Sequence, residues 1–249
     1  MAQACATALF VGSSLAYATQ PRPAPLLPAL GDPALLPVPV SDPAAPDHAL
    51  VLPQLYLSPE NPLMWALLVV LWALLSLDAA EQLFHSSEDF RLRSAVSSRA
   101  VWPVLTLALL AGAVWPWMVG RNLLAVVPGA LFMVLATVVA AVRAQGSHRP
   151  AIGFLAGWTT AIAVAAIAAL LAYRLSLSMT QTAVLAILPG VLAGIAGQDR
   201  IGQSVAYPAA LIWAFCAMAL TTMGSSPVVA LAAIAGISAM ALMLIRAAS

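Results

Sequence analysis

The sequence predicts an all-α fold: a polytopic transmembrane helical bundle of seven to eight spans, with a Pro-rich extended segment outside it. Three observations carry that prediction. The 249-residue chain is 63% hydrophobic and 8% charged, with a mean hydropathy of +0.98, whereas a soluble domain is usually about 45–50% apolar and about 25% charged. Its apolar residues fall in runs long enough to cross a bilayer, which takes about 20 residues for a hydrocarbon core about 30 Å thick. Many of its prolines gather between the first two of those runs. A chain of this composition cannot cover its own surface with polar groups in water, which excludes a soluble enzyme and a disordered protein. The formal net charge of +1 leaves no basic field for a polyanion, so nucleic acid is not a partner. The lipid bilayer is.

Residues 1–18 form a short apolar segment with two readings. As a helix it is a retained first span, the reading preferred here. Ala16-Tyr17-Ala18 also has the small-x-small form of a signal-peptide cleavage site, although no Arg or Lys precedes the apolar run. Residues 19–62 differ from everything after them. They contain PRPAPLLP, DPALLPVPVSDPAAPD and SPENP, where missing donors and fixed φ favour extended or polyproline-like backbone. The segment reads either as a flexible linker or as a strap over the outer face, docked on helix ends or on a partner. The many Leu and Val residues among those prolines favour the strap, since free linkers are poor in aliphatics.

Residues 63–249 supply the remaining seven spans, at 63–79, 101–118, 123–143, 151–173, 180–197, 205–223 and 227–246. Asp78, near the end of its run, and the terminal Arg143 and Arg246 are the charged residues they contain. Pro128 and Pro189 lie inside two of the runs, where a missing donor kinks or unwinds a helix unless neighbours satisfy the freed carbonyl. With eight crossings, one side of the membrane carries Arg91, Arg93, Arg99, Arg143, Arg149, Arg200 and Arg246, and the other Arg22, Arg121 and Arg174. Cytoplasmic loops hold the excess of positive residues, so both termini are expected in the cytoplasm. Ala-rich composition with Arg as the only basic residue suggests a GC-rich bacterium, hence a bacterial inner (cytoplasmic) membrane.

Little in the spans performs chemistry. His48, His85 and His148 fall in loops or at helix ends, where none can hold a haem from the membrane core. Cys5 and Cys216 are too few and too far apart for a disulfide framework or metal site. There is no H-E-x-x-H, P-loop or G-x-S-x-G, and no span Ser or Thr has an activating neighbour. The expectation is a protein that is not an enzyme and holds no metal. What the spans offer is small residues and Trp. Gly153-x-x-x-Gly157 and Gly190-x-x-x-Gly194 have the spacing for close helix approach. Trp65, Trp102, Trp115 and Trp117 fall near span ends, as in an interfacial aromatic belt. Trp72, Trp158 and Trp213 lie deeper, where each indole N–H needs a partner away from water.

Two elements and one layout carry a family resemblance. Gly157-Trp158-Thr159-Thr160-Ala161 resembles the G-W-(I/L/T)-(T/S)-(V/A)-A element of the longer TspO/MBR-like proteins, the tryptophan-rich sensory (translocator-type) family. Tyr207-Pro208-Ala209-Ala210-Leu211-Ile212-Trp213-Ala214 is similar to their Y-x-x-V-x-(I/V)-W-A element. A first helix, an outer segment with a P-V-P-V-S-D-P run at Pro37–Pro43 and a Trp-bearing helix follow the same order. The resemblance implies a sensory or regulatory protein that holds a tetrapyrrole or another lipophilic ligand among Trp72, Trp158, Tyr207 and Trp213. A second reading comes from the blandness of the interior and the outer strap: a non-catalytic accessory subunit packed against a larger photosynthetic or respiratory complex. A homodimer and a transporter of an uncharged lipophilic substrate complete the alternatives.

Overall fold

The computed structural model describes residues 1–20, 53, 56, 57, 61–84, 101–119, 123–147, 149–222 and 227–249. Most of the strap and the 85–100 loop, with Arg91, Arg93 and Arg99, lie outside the described residues, as do Arg22, Arg121 and the three histidines. Among the described residues eight α-helices follow one another: α1 Ala2–Ala18, α2 Pro62–Phe84, α3 Trp102–Val114, α4 Leu123–Arg143, α5 Pro150–Leu175, α6 Met179–Ile201, α7 Ala206–Thr222 and α8 Pro227–Ala248. In lipid a helix is one of two ways for a spanning segment to satisfy its own backbone, and runs of Ala and Leu are strong helix formers. Pro stands at the start of α2, α5 and α8 and beside the start of α3, where its absent N–H costs nothing. Ser178 and Gln181 close a reciprocal capping box at the start of α6. Gly202 ends α6 with φ 76° and ψ −127°, a conformation open in practice to glycine alone.

α2, α4, α5, α6 and α8 are long and apolar enough to cross a membrane; α1, α3 with its 3₁₀ extension, and α7 are shorter apolar helices. The chain is a helical membrane bundle. The third run does not stay α-helical to its end. Trp115–Met118 tightens into a 3₁₀ turn, because Pro116 has no N–H to return to the carbonyl of Gly112. Pro128 and Pro189 sit inside α4 and α6, on exposed faces.

Contacts at the helix ends give the topology. Gln3 at the start of α1, Asp78 near the end of α2 and Arg149 before α5 share hydrogen bonds. Gln145, just after α4, donates to the carbonyls of Arg200 and Ile201 at the end of α6. Arg246 near the end of α8 lies 3.7 Å from Asp199 of α6, and Gly153 faces Ser204, just before α7. At the opposite end, Ser13 of α1 donates to the carbonyl of Ala113 of α3, so these two helices run parallel. The eight helices therefore alternate in direction, and both chain ends emerge at the end carrying Arg143, Arg149, Arg200 and Arg246.

α5 is the centre. It packs on α2, α4, α6 and α7, and from Ala151 to Ala166 every residue is buried. Its hydropathy resembles that of its neighbours, so centrality is a property of packing. α8 lies at the periphery on α6 and α7, burying Val229, Ala233, Gly236 and Met240 on one stripe. Within the strap, Tyr56 and Leu57 are buried. Burial pushes the Tyr56 phenol up from its ordinary value, so it stays neutral.

Candidate functional site

α5 and α7 meet face to face, and glycine makes the approach possible. A methyl group on Gly157 would lie 2.5 Å from the carbonyl oxygen of Tyr207 and 2.8 Å from the Cβ of Ala210. One turn earlier, a methyl on Gly153 would collide with the Ser204 hydroxyl and lie 3.5 Å from the Tyr207 nitrogen. The Tyr207 ring then reaches α6, where its hydroxyl fills the space that a side chain on Gly197 would need. On the second small-residue pair, a methyl on Gly194 would lie 2.8 Å from Leu211 and Met240, while one on Gly190 would lie 3.4 Å from the Phe215 ring. Three helices thus close around Tyr207.

Hydroxyl groups stitch the same region. The Tyr207 hydroxyl lies 3.2 Å from Thr160 Oγ1, which donates to the Ala156 carbonyl at 2.7 Å. Thr159 bonds Thr137 of α4 at 2.7 Å, and Thr137 reaches the Met133 carbonyl at 2.9 Å. All four hydroxyl residues are buried. Hydrogen bonds between helices in a bilayer typically contribute about 0.6 kcal/mol and at most about 2, enough together to fix the rotation of α4 and α7 about α5.

The four aromatic residues expected to line a ligand site are on four different helix faces, and no two stack on one another. Trp72 of α2 donates to Ser14 of α1 at 3.2 Å and meets Trp65 edge-on at 6.4 Å. Trp213 of α7, half-buried, donates to the Leu63 carbonyl at 3.0 Å and stands edge-on to Phe154 at 6.4 Å. Tyr207 is bound as described. Trp158 of α5 is 1% exposed, meets Phe10 of α1 edge-on at 5.8 Å, and its indole N–H has no acceptor.

Trp115 corrects the belt reading. It is 1% exposed and donates to the Val126 carbonyl of α4 at 2.8 Å, because the 3₁₀ turn rotates it inward over Gly129. Trp102 and Trp117 do face outward, and Trp117 bonds Ser13 at 2.8 Å.

Sequence reasoning missed one polar cluster. Asp78 is 8% exposed, and its carboxylate accepts from Arg149 in a two-pronged bond at 2.8 and 2.7 Å, from Gln3 at 3.1 Å and from Gln82 at 2.8 Å. Arg149 lies 71 positions away in the chain. The single available signal was an acidic residue inside an apolar run, which in lipid calls for a partner. Planar guanidinium against carboxylate is the strongest geometry for such a pair, and it ties α1, α2 and α5 together at the Arg-bearing end. Among the described residues no group of three or more His, Cys, Asp and Glu is placed to hold a metal ion. The class that this geometry shows is a multi-pass helical membrane protein, and no protein-family model, curated protein or solved structure matches the chain.

Proposed function

We propose that the chain is a TspO-like integral membrane protein that binds a tetrapyrrole or another flat lipophilic molecule in a sensory or regulatory role, without catalysis. The observation that supports this reading most is Trp158: a fully buried aromatic side chain whose hydrogen-bond donor is left open inside the bundle. Burying an unpaired donor costs about 1–3 kcal/mol, and a bound molecule that accepts from it recovers that cost. The two family-like elements, 157–161 and 207–214, also pack on each other through Gly157, Thr160 and Tyr207, so they act as one unit.

The test uses the purified full chain in lipid. An added porphyrin is expected to quench Trp emission, and Trp158→Leu to weaken binding by about 1–3 kcal/mol, roughly 5- to 150-fold. Unchanged affinity in both Trp158→Leu and Trp213→Leu would remove this site from consideration.

The accessory-subunit reading draws on a different observation. The donors of Trp72, Trp213 and Tyr207 are already engaged within the chain, as in a bundle built only to pack. Gentle purification from native membrane separates the two: a bound chromophore supports the first, stoichiometric partner chains the second.

For orientation, the end carrying Arg143, Arg149, Arg200 and Arg246 is assigned to the cytoplasm of a bacterial inner membrane on the positive-inside rule. A reporter fused after Ser249 is expected to be active only in its cytoplasmic form. Periplasmic activity there reverses the orientation.

A further inference from the structure

We infer that the Trp158 indole N–H is the specificity-determining donor of the interior site, selecting flat apolar ligands that present a neutral oxygen or nitrogen acceptor; the inference rests on the ligand-binding reading above. Among the described residues Trp72 has spent its indole N–H on Ser14, Trp115 on Val126, Trp213 on Leu63 and the outward-facing Trp117 on Ser13. Trp158, 1% exposed, has not.

The surroundings define what it can take. The hydroxyls nearest in sequence, Thr159 and Thr160, are committed to Thr137, Ala156 and Tyr207. The basic residues of α5's ends, Arg149 and Arg174, lie nine and sixteen positions away, about 14 and 24 Å along the helix. An anionic acceptor would therefore enter without a countercharge, at prohibitive cost in a dry interior. A ketone, ester or imine-type acceptor carries no such penalty. Across from Trp158, the Phe10 ring leans on Gly112, with the Met133 sulfur beside it. Met side chains re-pack readily, so this is the wall that can yield.

Among the described residues two other buried polar atoms lack partners, Gln3 Oε1 and Gln198 Oε1. Both are acceptors at the Arg-bearing end, where water is the natural donor. Trp158 differs from them in being a donor at mid-bundle.

The experiment compares fluorenone with fluorene, which share a flat skeleton and differ by a ketone, on the full chain in lipid nanodiscs with ¹⁵N-labelled Trp. Fluorenone is expected to bind about tenfold more tightly, the effect of one hydrogen bond to a buried donor, and to move the Trp158 indole N–H signal where fluorene does not. In Trp158→Phe the affinity ratio is expected to fall to about one. Should that variant fail to fold, the wild-type ratio and the indole signal decide. If both compounds bind equally and the signal is indifferent to the ketone, the inference is wrong and the ligand reading stands, with the N–H resting on the Phe10 ring. A preference that survives Trp158→Phe overturns it too. If neither compound binds and porphyrin leaves emission unchanged, both fall.

Discussion

Asp78→Ala is expected to destabilise the detergent-solubilised bundle by about 3 kcal/mol, the lower part of the range for breaking a buried ion pair. The lower part applies because the Arg149 side chain keeps 21% of its surface exposed. The loss is not the value of the pair itself. It is the cost of leaving the guanidinium and the Gln3 amide without their acceptor, while Gln82 keeps its bond to the main-chain carbonyl of residue 78. Arg149→Ala strands the carboxylate and is expected to cost a similar amount, so the double variant should lose far less than the sum. Unfolding midpoints in a denaturing-detergent titration measure all three. A cost under about 0.5 kcal/mol for Asp78→Ala, or strict additivity, would show the cluster to be incidental.

Gly157→Ala should be nearly as damaging, about 3 kcal/mol, while Gly190→Ala should be close to neutral. Both glycines belong to a small-xxx-small pair, and a motif reading treats them alike. Their surroundings do not. A methyl on Gly157 meets backbone and Cβ atoms of α7 at 2.5 and 2.8 Å, which move only if the whole helix backs away. Overpacking of that kind costs about 1–3 kcal/mol, occasionally more. At Gly190 the neighbour is the outer edge of the Phe215 ring at 3.4 Å, and the gain in helix propensity of about 1 kcal/mol offsets the adjustment. The same unfolding assay gives the order. Equal costs at the two positions would mean that α5 and α7 are not held at the described distance.

The second comparison shows where sequence and structure part. Helix positions were legible because a bilayer permits few solutions: an apolar run near 20 residues must satisfy its backbone internally, and α4 spans 123–143 as its run predicts. Alternation of direction followed from connectivity. The 3₁₀ turn at Trp115 was not read, although Pro116 announces it, because length alone makes 101–118 a single span. The strap's course lies outside the described residues, apart from its ends and Pro53, Tyr56 and Leu57.

Sequence by itself determined the class of this protein, since hydropathy and run length are local quantities that lipid converts directly into helices. It also singled out Trp72, Trp158 and Trp213 by residue type and depth, and Tyr207 through the family resemblance. Only the tertiary structure decided their roles. Hydropathy is nearly uniform along these helices, so it carries no information on which face meets which neighbour. Where a neighbour supplied an acceptor, as Ser14 and Leu63 do for Trp72 and Trp213, the aromatic residue became part of the packing. Where none did, at Trp158, an open donor remained. The Asp78–Arg149 pair was beyond sequence for the same reason: it joins positions 71 apart, and that distance is closed by the helices between them.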